Sequence, residues 1–196
     1  GYTLLLASAA QAYLNRWGVA PGQRVALYAN SDAARIVARQ LMAAGVTVAA
    51  ILDSREGVST VEDCPVWTGV RITDTVGRHG LRSISGTHSG GDFTLEADAL
   101  LMSGGWNPLV NLACHQNGRP AWREEIAAFV PVPGMIPGLW TAGAVQGSFS
   151  THAALAEGQG AALSALDALG RKASADALPQ ADDAPYVLAP IWSVPG

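Results

Sequence analysis

The sequence predicts an α/β fold built around a parallel sheet, and two observations predict it. The segment Val25–Arg55 runs through an apolar strand, a tight turn, a helix and a second apolar strand that ends in an acid. Its second strand, Val46–Leu52, is apolar at nearly every position, as expected for a central parallel strand covered on both faces. A helix between two such strands forms the right-handed crossover unit of α/β sheets.

The first elements follow from hydrophobic period and turn residues. The opening stretch GYTLLLASAAQAYLNRWG predicts an amphipathic helix that ends at Gly18, because glycine is the common residue just beyond a helix C-terminus. After the turn APGQ, we expect a strand at Arg24–Ala29, a helix from about Asp32 to Ala44 and the strand Val46–Leu52. These elements form the βαβ unit.

The later elements are shorter and separated by glycine and proline. Alternating residues from Val66 to Leu95 predict a hairpin or small meander. Short strands are expected at Ala97–Gly105 and in LWTAGA, followed by a helix from about Thr151 to Leu169. The Ala/Pro/Asp-rich remainder predicts an extended segment.

The composition favours a folded chain with a large apolar core. Of 196 residues, 49% are hydrophobic and 14% charged, with a net charge of −4. Lys172 is the only lysine and no basic cluster occurs, which disfavours a nucleic-acid partner. No apolar run approaches the roughly 18 to 20 residues that span a bilayer. Cys64 and Cys114 form no CxxC pair and no metal cluster with the four histidines, which favours free thiols in a reducing cytoplasm.

The turn of the βαβ unit has the outline of a nucleotide site without its glycines. Where dinucleotide-binding turns carry glycine, the chain has Ala29, Ser31 and Ala34, and Asp32 adds negative charge where a phosphate would lie. Asp53 ends the second strand at the interval of an acid that binds a ribose hydroxyl, or it caps the next turn. Ser31 and Asp53 are candidate cofactor residues. The favoured interpretation is a structural βαβ unit with a poorly occupied turn.

Several segments together resemble one protein family. They are LASAAQAYLNRWGVAPGQRVALYANSDAA, LLMSGGWNP, GLWTAGAVQGSFSTHAALAEGQGAA and the closing IWSVPG. In combination they resemble the α subunit of heterotetrameric sarcosine oxidase, within the superfamily of flavoprotein reductases with two dinucleotide domains. The resemblance covers essentially the whole chain. It implies a Rossmann-like FAD/NAD(P)-binding fold, with an inner dinucleotide-fold domain and part of an outer one.

The resemblance also implies a division of the chain and a cofactor. Residues 1–19 would be a helix of the outer domain, 20–105 the inner domain, 106–170 the return segment of the outer domain, and 171–196 a linker to a missing C-terminal domain. In flavin-binding relatives the acid of an AGD motif accepts a hydrogen bond from a ribityl or ribose hydroxyl. Ala144 occupies that position here, which argues against FAD and fits NAD, with FAD and FMN only in the full complex. Gly143, Ala144 and Gly147 would let the backbone approach the dinucleotide, unless the glycines serve close packing alone.

The implied activity is oxidative demethylation of sarcosine to glycine, formaldehyde and hydrogen peroxide, in a hetero-oligomeric oxidase with other subunits. No residue of the chain is a convincing catalytic acid, base or nucleophile. His152 can face a cofactor from its helix start, although a packed or solvated histidine is favoured. Two alternatives stay open. One is a non-catalytic subunit-docking scaffold of a related opine, proline or amino-acid oxidase complex. The other is a stand-alone FAD/NAD(P)H-dependent reductase, against which the unpaired cysteines count.

Overall fold

A computed structural model describes residues 4–59, 62–183, 186 and 188–190. The chain divides into two compact units, one of residues 1–105 with 189–196 and the other of residues 106–188. No helix in the described part of the chain combines the length and apolar character needed to cross a bilayer.

The first unit contains a five-stranded parallel sheet and a separate three-stranded meander. Its elements in chain order are β1 (Leu4–Leu6), α1 (Ala7–Trp17), β2 (Arg24–Ala29), α2 (Ala33–Ala43), β3 (Thr47–Asp53), β4 (Val66–Trp67), β5 (Arg71–Val76), β6 (Ser83–His88), β7 (Gly91–Glu96) and β8 (Ala99–Ser103). The parallel sheet has the order β1-β8-β2-β3-β4, and β5, β6 and β7 form the antiparallel meander.

Burial on both faces explains the apolar strands at the centre of the parallel sheet. Every residue of β3 after its first is buried. Val48 and Ile51 enter one apolar cluster, and Ala49, Ala50 and Leu52 enter a second one. The helices α1 and α2 cover one face, where Leu27, Ile51 and Leu101 join Leu41 of α2 in the first cluster. On the other face, Leu52 and Leu100 join Ile84 of the meander in the second cluster. The α/β fold with a parallel sheet is as the sequence predicts.

The beginning of the chain differs from its prediction. Leu4–Leu6 form the edge strand β1 rather than the first turn of a helix, and pair with β8 in parallel register. Leu5 packs on the core while Leu4 and Leu6 are exposed, which is the alternation of a strand. The helix then ends as expected, because Gly18 adopts φ 65° and its N–H binds the Leu14 carbonyl. Both elements lie in the first unit, and the assignment of residues 1–19 to an outer domain stays a prediction.

The second unit is less regular. It contains α3 (Asn111–His115), the antiparallel pair β9 (Ala121–Arg123) and β10 (Ala128–Val130), and α4 (Thr151–Ala168). The helix α4 matches its prediction to within one residue. The predicted strand in LWTAGA is wrong: residues 139–142 have no regular structure and Gly143–Gln146 form a 3₁₀ turn. A strand needs a neighbour for its backbone groups, and no described strand pairs with this segment.

Candidate functional site

The first candidate site lies at the carboxyl edge of the parallel sheet, where β2, β3 and β8 end. Asn30 fixes the turn after β2. Its N–H donates to the Ser103 carbonyl at 3.3 Å, and its side-chain amide donates to the Gly104 carbonyl at 3.1 Å. Its own carbonyl accepts from the Ala189 N–H at 3.1 Å. The turn is therefore tied to the end of β8 and to a residue near the end of the chain.

Asp53 ends β3, and Arg55 binds its carboxylate. The Oδ1 atom of Asp53 accepts from the Arg55 backbone N–H at 2.9 Å and from Nε at 3.0 Å. Its Oδ2 accepts from Arg55 Nη2 at 2.8 Å. Asp53 is 1% exposed, so this ion pair is buried. Asp53 Oδ1 therefore caps the turn after β3 through the Arg55 N–H, and both carboxylate oxygens already bind the guanidinium.

Arg55 extends the ion pair to the start of α2. Its Nη2 also donates to Asp32 Oδ1 at 2.7 Å, and Arg35 Nε donates to the same oxygen at 3.3 Å. Burial raises the pKa of Asp32, but the hydrogen bonds and charges of Arg55 and Arg35 outweigh it and leave the pKa below its usual value. The hydrogen bond to Asp53 raises the pKa of Arg55. A carboxylate therefore stays charged where a phosphate would approach the helix.

Ser31 follows β2 but does not present its hydroxyl to solvent. It is 1% exposed, and its Oγ has no hydrogen-bond partner among the described residues. The Oδ1 atom of Asn30 is also buried and has no hydrogen-bond partner among the described residues. Ser31 and Asp53 thus lie at one sheet edge, but neither exposes an unpaired polar group to an approaching nucleotide.

A second ionic cluster on α2 went unrecognised in the sequence. Glu62 accepts from Arg35 Nη1 at 3.2 Å and from Arg39 Nη2 at 2.8 Å. The hydrogen bond from Arg39 lowers the pKa of Glu62 despite its burial. The partners are 27 and 23 residues apart along the chain, and no local pattern links them.

The second candidate site is the turn before α4. Gly143, Ala144 and Gly147 come together in it, within and just after the 3₁₀ segment Gly143–Gln146. Gly143 and Gly147 have φ of 67° and 84°, which glycine adopts readily, while the Ala144 side chain is exposed. The helix begins after Ser150, whose Oγ accepts from the Ala153 N–H at 3.1 Å.

A carboxylate from α4 binds this turn. Glu157 Oε2 accepts from the Gly143 N–H at 2.7 Å, and Oε1 accepts from the Ser148 hydroxyl at 2.5 Å. Ala144 stands at the position of the acid in the AGD motif. The carboxylate of Glu157, from the next helix, binds the turn instead. No sequence signal identified Glu157, because its partners lie 14 and 9 residues away and one of them is a backbone amide.

Packing accounts for one of the two glycines. A Cβ at Gly147 would lie 2.6 Å from Ile126 Cδ1 and 3.1 Å from Val130 Cγ1, both in the small core of the second unit. A Cβ at Gly143 would lie 3.2 Å from the Ala154 Cβ, a tight approach to α4. Close packing, which the sequence left as the alternative, is sufficient to require Gly147.

The remaining candidates are the two cysteines and His152. Cys64 and Cys114 are free thiols, and burial raises the pKa of Cys64. His152 donates its backbone N–H to the Asp182 carbonyl at 2.9 Å at the start of α4. Among the residues that the structure describes, no group of three or more His, Cys, Asp or Glu side chains is placed to hold a metal ion.

Comparison with known proteins finds curated relatives that align with nearly the whole chain. No protein-family model matches the chain. The sarcosine oxidase α subunit of Rhizobium meliloti (strain 1021) is 36% identical over 197 residues, which cover 98% of this chain and 20% of that protein. The chain is a homologue of the sarcosine oxidase α subunit. The α subunit of Corynebacterium sp. (strain P-1) is 33% identical over 98% of the chain and 21% of its own length. An opine oxidase subunit of Rhizobium meliloti is 27% identical over 87% of the chain and 39% of its length.

This chain spans about a fifth of the length of the curated sarcosine oxidase α subunits that it matches. Solved structures agree on the fold. L-proline dehydrogenase from P. horikoshii superposes with a TM-score of 0.65 at 19% identity, over 88% of this chain and 31% of that one. Thioredoxin reductase from T. acidophilum gives 0.66 at 19% identity, over 86% and 58%. These likenesses confirm the predicted Rossmann-like α/β fold.

Proposed function

We propose that the chain is a dinucleotide-contacting and structural segment of a sarcosine oxidase-type complex. The complex would convert sarcosine to glycine, formaldehyde and hydrogen peroxide in the cytoplasm, with other subunits as partners. The observation that carries the proposal is the 36% identity that extends over 98% of the chain. Residues 20–105 would form the inner domain, with 1–19 and 106–170 as outer-domain pieces and 171–196 as a linker.

Of the two candidate turns, the one at Gly143–Gly147 is the better contact for NAD. At the inner turn, both oxygens of Asp53 bind Arg55, and the Ser31 hydroxyl is buried. The charge of Asp32 opposes a phosphate there. At the second turn, the Ala144 side chain is exposed and small, so a ligand can approach the backbone. NAD is the cofactor that we assign to this turn, and FAD and FMN would bind elsewhere in the complex.

The first test is a titration of NAD into the purified chain. We expect a dissociation constant of about 1 mM or weaker, which corresponds to only about 4 kcal/mol. Amide shifts in a nuclear magnetic resonance (NMR) titration should move in residues 143–148 and stay constant in residues 29–34. Ser31→Ala removes a hydroxyl that has no partner among the described residues and should leave the affinity unchanged. Micromolar binding that shifts the inner turn would overturn this assignment.

The second test concerns the reaction. The purified chain mixed with sarcosine should release no peroxide, because the reacting groups belong to the rest of the complex in this proposal. The assembled oxidase that contains the chain should release peroxide from sarcosine. A peroxidase-coupled assay measures both. Peroxide from the chain alone would show that the active site lies within these 196 residues.

A docking scaffold without nucleotide is the second candidate. The inner turn favours this candidate, because Arg55 pairs with the carboxylates of Asp32 and Asp53 without any ligand. The similarity to an opine oxidase component gives this scaffold a place in a related complex. The NAD titration separates the two candidates, because a scaffold predicts no amide shift at either turn. Peroxide release from an opine or from proline, in place of sarcosine, would identify the related complex.

A further inference from the structure

Glu157 connects α4 to both ends of the turn that we assign to the dinucleotide. The Gly143 peptide is buried, and its N–H has the Glu157 carboxylate as its acceptor. A buried N–H without an acceptor is costly, so this bond fixes where the turn begins. The Ser148 hydroxyl binds the other carboxylate oxygen and fixes where the turn ends.

Backbone bonds close the same turn, and side-chain hydrogen bonds join it to the elements on two of its sides. The Ser148 N–H donates to the Gly143 carbonyl at 3.2 Å, and the Gly147 N–H donates to the Ala144 carbonyl at 3.1 Å. These bonds define the shape of the turn. Arg123 Nη1 donates to the Gln146 carbonyl at 3.0 Å and joins the turn to β9. Both carboxylate bonds of Glu157 join it to the second helical turn of α4, so they position the side of the turn that faces this helix.

The charge of Glu157 has a second consequence. A carboxylate 2.7 Å from the Gly143 nitrogen occupies the N–H that would otherwise attract an anion. A phosphate brought to this turn meets like charge, whereas a ribose hydroxyl can donate to a spare lone pair of the carboxylate.

We infer that Glu157 positions this turn against α4, and that its charge makes the turn favour the hydroxyl-bearing part of a dinucleotide over phosphate. The inference rests on the proposed function in one respect only, the contact between the turn and NAD. The positioning of the turn by Glu157 can be measured without any ligand.

The experiment compares four forms of the purified, isotope-labelled chain: wild type, Glu157→Ala, Glu157→Gln and Asp167→Asn. Glu157→Ala should reduce the hydrogen-exchange protection of the Gly143 amide by about tenfold or more, as expected for the loss of a hydrogen bond to a charged group. Glu157→Gln retains an acceptor and should keep most of this protection. Asp167→Asn removes a carboxylate from the far end of the same helix and should change nothing at the turn.

Inorganic pyrophosphate tests the charge. In Glu157→Gln it should shift the amides of residues 143–148 at a concentration about threefold lower than in wild type or Asp167→Asn, because the like charge is gone. NAD should bind Glu157→Gln at least as well as Glu157→Ala, in which the turn has lost its support. Equal responses of all four forms to pyrophosphate would overturn the selectivity.

The outcomes separate the two proposals. Unchanged Gly143 protection in Glu157→Ala would refute the positioning role. If protection falls but NAD shifts no amide of the turn in wild type, the positioning stands and the proposed NAD contact is wrong. If Glu157→Ala fails to fold, Ser148→Ala removes one of the two hydrogen bonds while the charge stays. Ser148→Ala should lower the exchange protection of the Gly143 amide and leave the pyrophosphate response at the wild-type value. Unchanged Gly143 protection together with a stronger pyrophosphate response would refute the inference.

Discussion

Asp53→Ala is expected to lower the free energy of unfolding of the first unit by about 3 to 5 kcal/mol, the usual cost of removing one partner from a buried ion pair. Asp53 is 1% exposed and the Arg55 side chain 9% exposed. Without Asp53, the guanidinium loses its hydrogen bonds from Nε and Nη2 to this carboxylate. It then stays charged at the sheet edge with only Asp32, whose side chain is 57% exposed, as an ionic partner among the described residues.

Urea unfolding, monitored through the amide exchange of β2 and β3, measures this loss of free energy. Asp92→Ala, at an exposed position of the meander, is the matched control and should change stability by less than about 0.5 kcal/mol. The double replacement of Asp53 by alanine and Arg55 by methionine removes the buried charge and should recover part of the loss. A loss below about 1 kcal/mol in Asp53→Ala would mean that water reaches Arg55 and that the bridge is not buried.

The central βαβ unit could be predicted from the sequence because its information is local. The apolar runs around Leu27 and Ile51 and the helix between them specify strand, helix and strand, and the bounds differ from the structure by no more than one residue. Three leucines at residues 4–6 are too few to separate strand from helix, and their state depends on pairing with β8. The Trp and Thr residues of LWTAGA favour a strand, but composition cannot supply the neighbour that a strand requires.

The candidate sites were predictable in position but not in chemistry. Strand ends placed Ser31 and Asp53 at one edge, as the geometry of a parallel sheet requires. Which group would satisfy Asp53 depended on the conformation of Arg55, two residues away, and its reach to Asp32. The role of Glu157 could not be predicted from the sequence for a similar reason. A side chain that binds a backbone N–H leaves no complementary residue in the sequence to reveal it.

Gly147→Ala is expected to lower the free energy of unfolding of the second unit by about 2 to 5 kcal/mol, because a backbone cost and a packing cost add. Gly147 has φ 84°, and a left-handed conformation costs a residue with a Cβ roughly 1 to 2 kcal/mol. The new Cβ would also lie 2.6 Å from Ile126 Cδ1, and overpacking of this kind typically costs about 1 to 3 kcal/mol. Ile126 is 2% exposed, so it has little room to move.

Two glycines of α4 provide the control for this prediction. A Cβ at Gly158 or Gly160 meets no atom within 4 Å, and both lie inside the helix. Gly158→Ala and Gly160→Ala should therefore stabilise the unit by about 0.5 to 1 kcal/mol, because alanine loses less backbone entropy in a helix. Thermal unfolding followed by circular dichroism measures all three variants. Equal effects at 147 and 158 would show that Ile126 yields to the new methyl group, and packing would no longer explain Gly147. A loss confined to Gly147→Ala means that this glycine is retained for the core, so Gly143 and Ala144 alone are left to indicate a close approach of the dinucleotide.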